Sequence, residues 1–109
     1  MKKKFRIKKN KDFKRIISKQ NILRCDNVLI FYMINKDAKH VRIGISISSK
    51  IKGSVIRNKI KRQIKAMANE IIDFNKENNI DIIFFVKKQI INFHSTLKML
   101  KKNLEKLNV

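Results

Sequence analysis

The sequence predicts an α+β fold: helices packed on one mixed four-stranded sheet, in the order α-β-β-β-α-β-α. Three observations lead there. Apolar residues recur at helical spacing in three separate stretches. Between them lie short segments rich in β-branched and aromatic residues, which suit strands. No proline, repeat or glycine-rich linker interrupts the 109 residues, so residues 1–109 are expected to form a single domain.

Asn10 is placed to cap the first helix, where Phe13, Ile16 and Ile17 form an apolar stripe. Ile22 to Arg24 reads as a very short strand, and Val28 to Ile34 as a buried one. Polar residues Asn35 to Lys39 read as a hairpin loop. Val41 to Ser48 alternates, with Val41, Ile43, Ile45 and Ile47 on one side and Arg42, Gly44, Ser46 and Ser48 on the other, the pattern of a half-buried strand. A long helix is expected from Ser54 to Phe74, with Ile56, Ile60, Ile64, Met67, Ala68 and Ile71 along one stripe. Lys76 to Asn79 makes a turn and Asp81 to Val86 an apolar strand. The last helix, Phe93 to Leu107, carries Leu97, Leu100, Leu104 and Leu107; two heptads are too few for a coiled coil, so this face is assigned to the sheet.

Charge bounds the partners. Lys and Arg number 28 against 8 acids, a net charge of +20, while 43% of residues are apolar, too many for a disordered chain. Such an excess repels itself in the compact state, so a polyanion is the expected partner, nucleic acid ahead of an anionic membrane. No run of about 18 apolar residues could span a bilayer. Met1 and three lysines open the chain without an apolar segment behind them, unlike a secretory signal. Cys25 is alone, which removes any disulfide framework and points to a small buried thiol in the cytosol.

No catalytic constellation is apparent. The carboxylates are scattered; Asp73 and Glu77 are four apart but fall at a helix end. His40 and His94 stand without Cys or His at ligand spacing, so neither a catalytic residue nor a protein metal site is expected.

The long helix is where chemistry concentrates. Asn58, Lys59, Lys61, Arg62 and Lys65 cover the face opposite its apolar stripe, and no acid between Gly53 and Asn69 relieves them. A solubilising face would look similar. Arg57 and Lys59, however, sit in the first turn, where the helix dipole already presents positive charge and an exposed cation costs about 0.3–1 kcal/mol. A phosphate backbone would offset that cost. Arg57 lies at the edge of the apolar stripe; it either reaches toward RNA or braces the preceding loop.

Here the chain resembles a known family. Arg42-Ile-Gly-Ile-Ser-Ile-Ser48, then Lys50, then Val55-Ile-Arg-Asn-Lys-Ile-Lys-Arg62 is similar to the signature of the bacterial ribonuclease P protein component. Arg6, Asn10 and Phe13 resemble that family's N-terminal segment, and Tyr32 falls on its central strand. The resemblance implies a protein subunit that joins a catalytic RNA, the pair removing the 5′ leader from precursor tRNA by Mg²⁺-dependent hydrolysis. The RNA would carry the active site and the Mg²⁺. The protein would broaden substrate binding and lower the Mg²⁺ requirement. It also implies a left-handed β-α-β crossover, against the general rule.

Carried over residue by residue, the resemblance assigns Arg57, Asn58, Lys59, Lys61, Arg62 and Lys65, with Lys50 and Lys52 of the preceding loop, to the catalytic RNA. It assigns Phe13, Ile17, Tyr32, Ser46 and Ser48 to a cleft for the leader, where aromatic faces stack on splayed bases; core packing would suit Phe13 and Tyr32 equally. The chain departs from the family in four places: Ile17 stands where a second aromatic is usual, Ser48-Ser49-Lys50 stands where Ser-Lys-Lys is usual, Gly53 comes one place later in the loop, and Lys59 replaces an arginine, losing bidentate geometry but keeping charge. The implied partners are the catalytic RNA and the precursor leader, with no membrane and no evident protein partner. A structural RNA-binding protein of ribosomal type is the alternative.

Overall fold

The computed structural model describes residues 2–109. A 3₁₀ turn, Lys3–Phe5, leads into helix α1, Asn10–Ser18. Strands β1, Ile22–Cys25, β2, Val28–Ile34, and β3, Arg42–Ile47, follow. Helix α2, Ser54–Ile71, connects β3 to strand β4, Ile80–Val86, and helix α3, Phe93–Leu104, leads to a final 3₁₀ turn, Glu105–Leu107. The predicted element order and the mixed four-stranded sheet are both present.

The strand order is β1-β2-β4-β3, so one expectation needs correction. Asn35 to Lys39 is no hairpin loop: β4 lies between β2 and β3, antiparallel to the first and parallel to the second. The reason is the chemistry of β4. Ile82, Phe84 and Val86 point to one face and Ile83 and Phe85 to the other, so both faces need cover and the strand belongs in the middle. The true hairpin is β1–β2, closed by Asp26 and Asn27, with Asp26 in the left-handed region at φ 51°.

Each sheet face has its own core. Helices α2 and α3 cover one, burying Ile60, Ile64, Met67, Ala68, Leu100 and Leu104 against Val28, Ile30, Ile43, Ile82 and Phe84. Helix α1 covers part of the other, where Ile7, Ile16, Phe31 and Ile83 are buried. The N-terminal segment docks on the outer edge of β3, where the Ile7 N–H donates to the Ile43 carbonyl at 2.7 Å.

Smaller expectations shift as well. Asn10 is the first helical residue rather than the cap, which is Lys9 without a side-chain hydrogen bond. Ile56 is 37% exposed because the first turn of α2 overhangs the core. Helix α2 stops at Ile71, since Ile72 turns extended and is buried, and Phe74 packs at 4.9 Å on the Phe5 ring.

Among the described residues one charged side chain is buried, and its role is structural. Asp81 is fully buried and takes two hydrogen bonds from Arg42, Nε to Oδ1 at 3.0 Å and Nη2 to Oδ2 at 2.7 Å. Asn35 Nδ2 adds a third at 3.1 Å. Arg42 and Asp81 are register partners across β3 and β4, and the hydrogen bonds that the guanidinium donates to Asp81 raise its pKa further.

Candidate RNA interface

The loop between β3 and α2 is built around Arg57. Its Nη1 donates to the carbonyls of Ser48 at 3.0 Å and Ile51 at 2.9 Å, and its Nη2 to that of Ile47 at 3.4 Å. Of the two roles left open by the sequence, the structure shows the brace: three carbonyls, from the end of β3 and the loop after it, converge on one guanidinium. Ile51 is buried and the Ser48 Oγ accepts from the Lys50 N–H, so the loop carrying the exposed Lys50 and Lys52 is held from both sides. Gly53, at φ 95°, makes the turn into the helix in a region that favours glycine.

The other polar residues on this face of α2 divide into two groups. Asn58, Lys59 and Arg62 are exposed to solvent. Lys61 and Lys65 instead line a cavity of about 150 Å³ with Arg6, Phe13, Gly44 and Ile45, at the edge of β3. None of these cations is paired: among the described residues the only ion pairs are Arg15–Asp12 and Arg42–Asp81.

The α1 face of the sheet carries a half-buried apolar surface, the trough, packed against Ile7, Ile16, Phe31 and Ile83. Phe13, Ile17, Ile22, Leu29, Met33 and Phe85 line it half-buried. Gly44 forms part of its floor because Phe13 lies directly on it; a Cβ there would sit 2.6 Å from the ring. Ser46, one pleat further along β3, is half-buried opposite Phe85. Tyr32 does not belong to this surface. It packs with Ile30 and Val28 on the α2–α3 side, and the β2 aromatic on the α1 face is Phe31. Both faces of β2 are apolar, so alternation alone could not set its phase, and a shift of one residue exchanges the faces.

At its far end the trough reaches a wider basic bowl of about 960 Å³, where Ser48 and Phe85 meet Lys50, Lys52, Lys87 and Lys88. Sequence reasoning missed Lys87 and Lys88. Their place depends on the parallel pairing of β3 and β4, seen where the Ser48 N–H donates to the Val86 carbonyl at 2.9 Å. Among the described residues, no three of His, Cys, Asp and Glu come together as a metal site.

A braced basic loop, an unpaired cationic helix and an aromatic-lined trough ending among lysines all address one chemistry: phosphates for the cations, unstacked bases for the rings. The fold and its surfaces therefore define an RNA-binding protein. The family model for ribonuclease P matches residues 1–108. The ribonuclease P protein component of Mesoplasma florum is 38% identical over 109 residues, covering 100% of this chain and 96% of its own length. That of Listeria innocua is 37% identical over 101 residues, covering 92% of this chain and 85% of its own. The Staphylococcus aureus RNase P protein structure superposes with TM-score 0.77 at 31% identity, covering 96% of each chain. The Thermotoga maritima RNase P protein, at 20% identity and TM-score 0.77, shares the fold over 93% of this chain and 96% of its own. This chain belongs to the ribonuclease P protein family: it is the protein subunit, not the catalyst, of the ribonucleoprotein that removes the 5′ leader from precursor tRNA. No helix among the described residues is long and apolar enough to cross a membrane.

Proposed function

We propose that the two surfaces divide the work. The exposed face of α2 (Asn58, Lys59, Lys61, Arg62 and Lys65), with Lys50 and Lys52 of the braced loop, anchors the protein to the catalytic RNA. Arg57 contributes by holding that loop. The trough, with Phe13, Ile17, Ser46 and Ser48, holds the 5′ leader, and Lys87 and Lys88 follow its backbone out. The observation that carries this reading is the placement of the trough and the helix on different sides of β3, so that one protein can hold both RNAs together. Mg²⁺ is then held by phosphates of the RNA. Added cationic charge lowers the Mg²⁺ the complex needs, because the protein neutralises phosphates that would otherwise collect counterions.

The test mixes the protein with a cognate catalytic RNA and labelled precursor tRNA at low Mg²⁺. Leader cleavage is expected to exceed that of the RNA alone, and the protein alone to cleave nothing. No enhancement would refute the role in the complex. A Phe13→Ala variant is expected to lose affinity for precursor tRNA while keeping affinity for tRNA without a leader; equal losses would reject the trough as the leader site.

A further inference from the structure

The loop between β4 and α3 carries Lys87 and Lys88 and is tethered by one neutral side chain. Strand β4 ends at Val86 and α3 begins at Phe93. Lys87, Lys88, Gln89 and Ile91 are exposed, Ile91 at 93%. Ile90 packs against the core, and Asn92 caps α3, its side-chain oxygen accepting from the Ser95 N–H at 3.0 Å. Among the described residues, both hydrogen bonds that tie residues 87–91 to other elements are made by Asn27. Its carbonyl accepts from the Lys87 N–H at 2.8 Å. Its Nδ2 donates to the Gln89 carbonyl at 3.2 Å, across 62 residues of sequence. The first bond fixes where the loop starts and the second fixes its path two residues on, so Lys88 is bracketed.

The charges around the loop explain why it needs a tether. Lys50, Lys52, Lys87 and Lys88 all line the bowl, and none of them is ion-paired among the described residues. Like charges gathered in one concavity repel, which drives the β4–α3 loop away from the β3–α2 loop. Asp26 is the one carboxylate among the lining residues, and it too makes no ion pair. A salt bridge could hold the loop, but it would cancel positive charge that the bowl presents. An amide donates to a carbonyl and carries no charge, so it holds the loop and leaves the bowl fully cationic.

We propose that Asn27 is a positioning residue for leader binding: it fixes the β4–α3 loop so that Lys87 and Lys88 stay across the bowl from Lys50 and Lys52. It touches no RNA and acts through the two lysines. The role rests on the reading of the trough and bowl as the path of the leader, and it adds the element that keeps the far wall of that path in place.

The test measures binding of precursor tRNA to the complex of protein and catalytic RNA across a potassium chloride series. Asn27→Ala removes no charge, yet it is expected to flatten the salt slope by about one, because a released loop no longer holds both lysines at phosphates. Asn27→Ser, whose side chain ends one bond short of the amide, is measured in parallel and is expected to behave alike. Binding of tRNA without a leader and of the catalytic RNA should be unchanged. The urea midpoint should stay near that of the parent, while the amide signals of residues 87–91 shift in the ¹⁵N spectrum. Lys87→Gln with Lys88→Gln should flatten the slope by about two, and adding Asn27→Ala to that pair should change nothing further. Unchanged slopes in both Asn27 variants beside a flattened one in the lysine pair would overturn the tether and leave the leader path standing. A lysine pair that binds precursor like the parent would overturn the path through the bowl and the tether with it. A further loss when Asn27→Ala is added to the pair, or a loss toward catalytic RNA or leaderless tRNA, would show that Asn27 does not act through these lysines and would also overturn the proposal.

Discussion

Gly44→Ala is the sharpest perturbation available at the trough. The added methyl would lie 2.6 Å from Phe13 Cζ, 2.9 Å from Cε1 and 3.4 Å from the Ile7 Cβ. Carbon atoms prefer about 3.5–4.0 Å, so the ring must withdraw by roughly 1 Å. Overpacking of this size costs about 1–3 kcal/mol. Ala is favoured over Gly within a strand by about 0.5–1 kcal/mol, which offsets part of that. The expected net loss is about 0.5–2 kcal/mol in urea unfolding. It should nearly vanish in a Phe13→Ala background, because the clash is with that ring and little else. Displacing Phe13 should also weaken binding of leader-bearing precursor tRNA and leave catalytic RNA binding intact. A Gly44→Ala variant as stable as the parent, or one whose penalty persists without Phe13, would refute the assignment of this glycine to ring contact.

Three further outcomes are expected. Arg57→Ala removes three hydrogen bonds from a charged donor and should lower stability by about 2–3 kcal/mol; the salt slope of RNA binding should hold, whereas Lys61→Ala and Arg62→Ala should each flatten it by about one. Asp81→Asn leaves the guanidinium of Arg42 without its counter-charge and should cost about 3 kcal/mol in thermal or urea unfolding, the low end for a buried pair because the Arg42 side chain is 25% exposed; a loss below about 1 kcal/mol would show the pair to be dispensable. Burial pushes the Cys25 thiol up to about 11 from 9.0, with Lys106 acting in the opposite direction. The folded state therefore keeps a proton that the unfolded chain releases, and this contribution is complete below pH 9 and lost as pH rises toward about 11. The stability gap between the parent and Cys25→Ala should narrow over that window and stay constant between pH 6 and 8.

Much of this molecule is legible in its sequence, and the illegible parts share a cause. The stripe through Ile60, Ile64 and Met67 marks α2 because one face is buried and the other is charged. The alternation from Val41 to Ile47 marks β3 because Arg42, Gly44 and Ser46 differ in kind from the isoleucines between them. Strand β2 has no such contrast, so Tyr32 and Phe31 could not be assigned to faces. The position of β4 between β2 and β3 follows from its doubly apolar character, but a local pattern does not name a strand's neighbours. Features that depend on that neighbourhood stayed hidden with it: the Arg42–Asp81 pair, the approach of Lys87 to Ser48, and the cavity beside Ile45. Arg57 shows the converse. Its position in the motif was plain, yet only the path of the loop shows that its guanidinium faces inward to carbonyls.

The strand order also governs how the chain can be assembled during synthesis. Of the two inner strands of the sheet, β4 is the last of the four to be made, and Val28 must wait for Val86, more than half the chain away. Until then β2 and β3 have no strand between them, and α2 emerges with its cations but without the complete sheet it packs on. The nascent chain thus carries an RNA-attracting helix before it has a fold, and every long-range strand pairing falls to its final third.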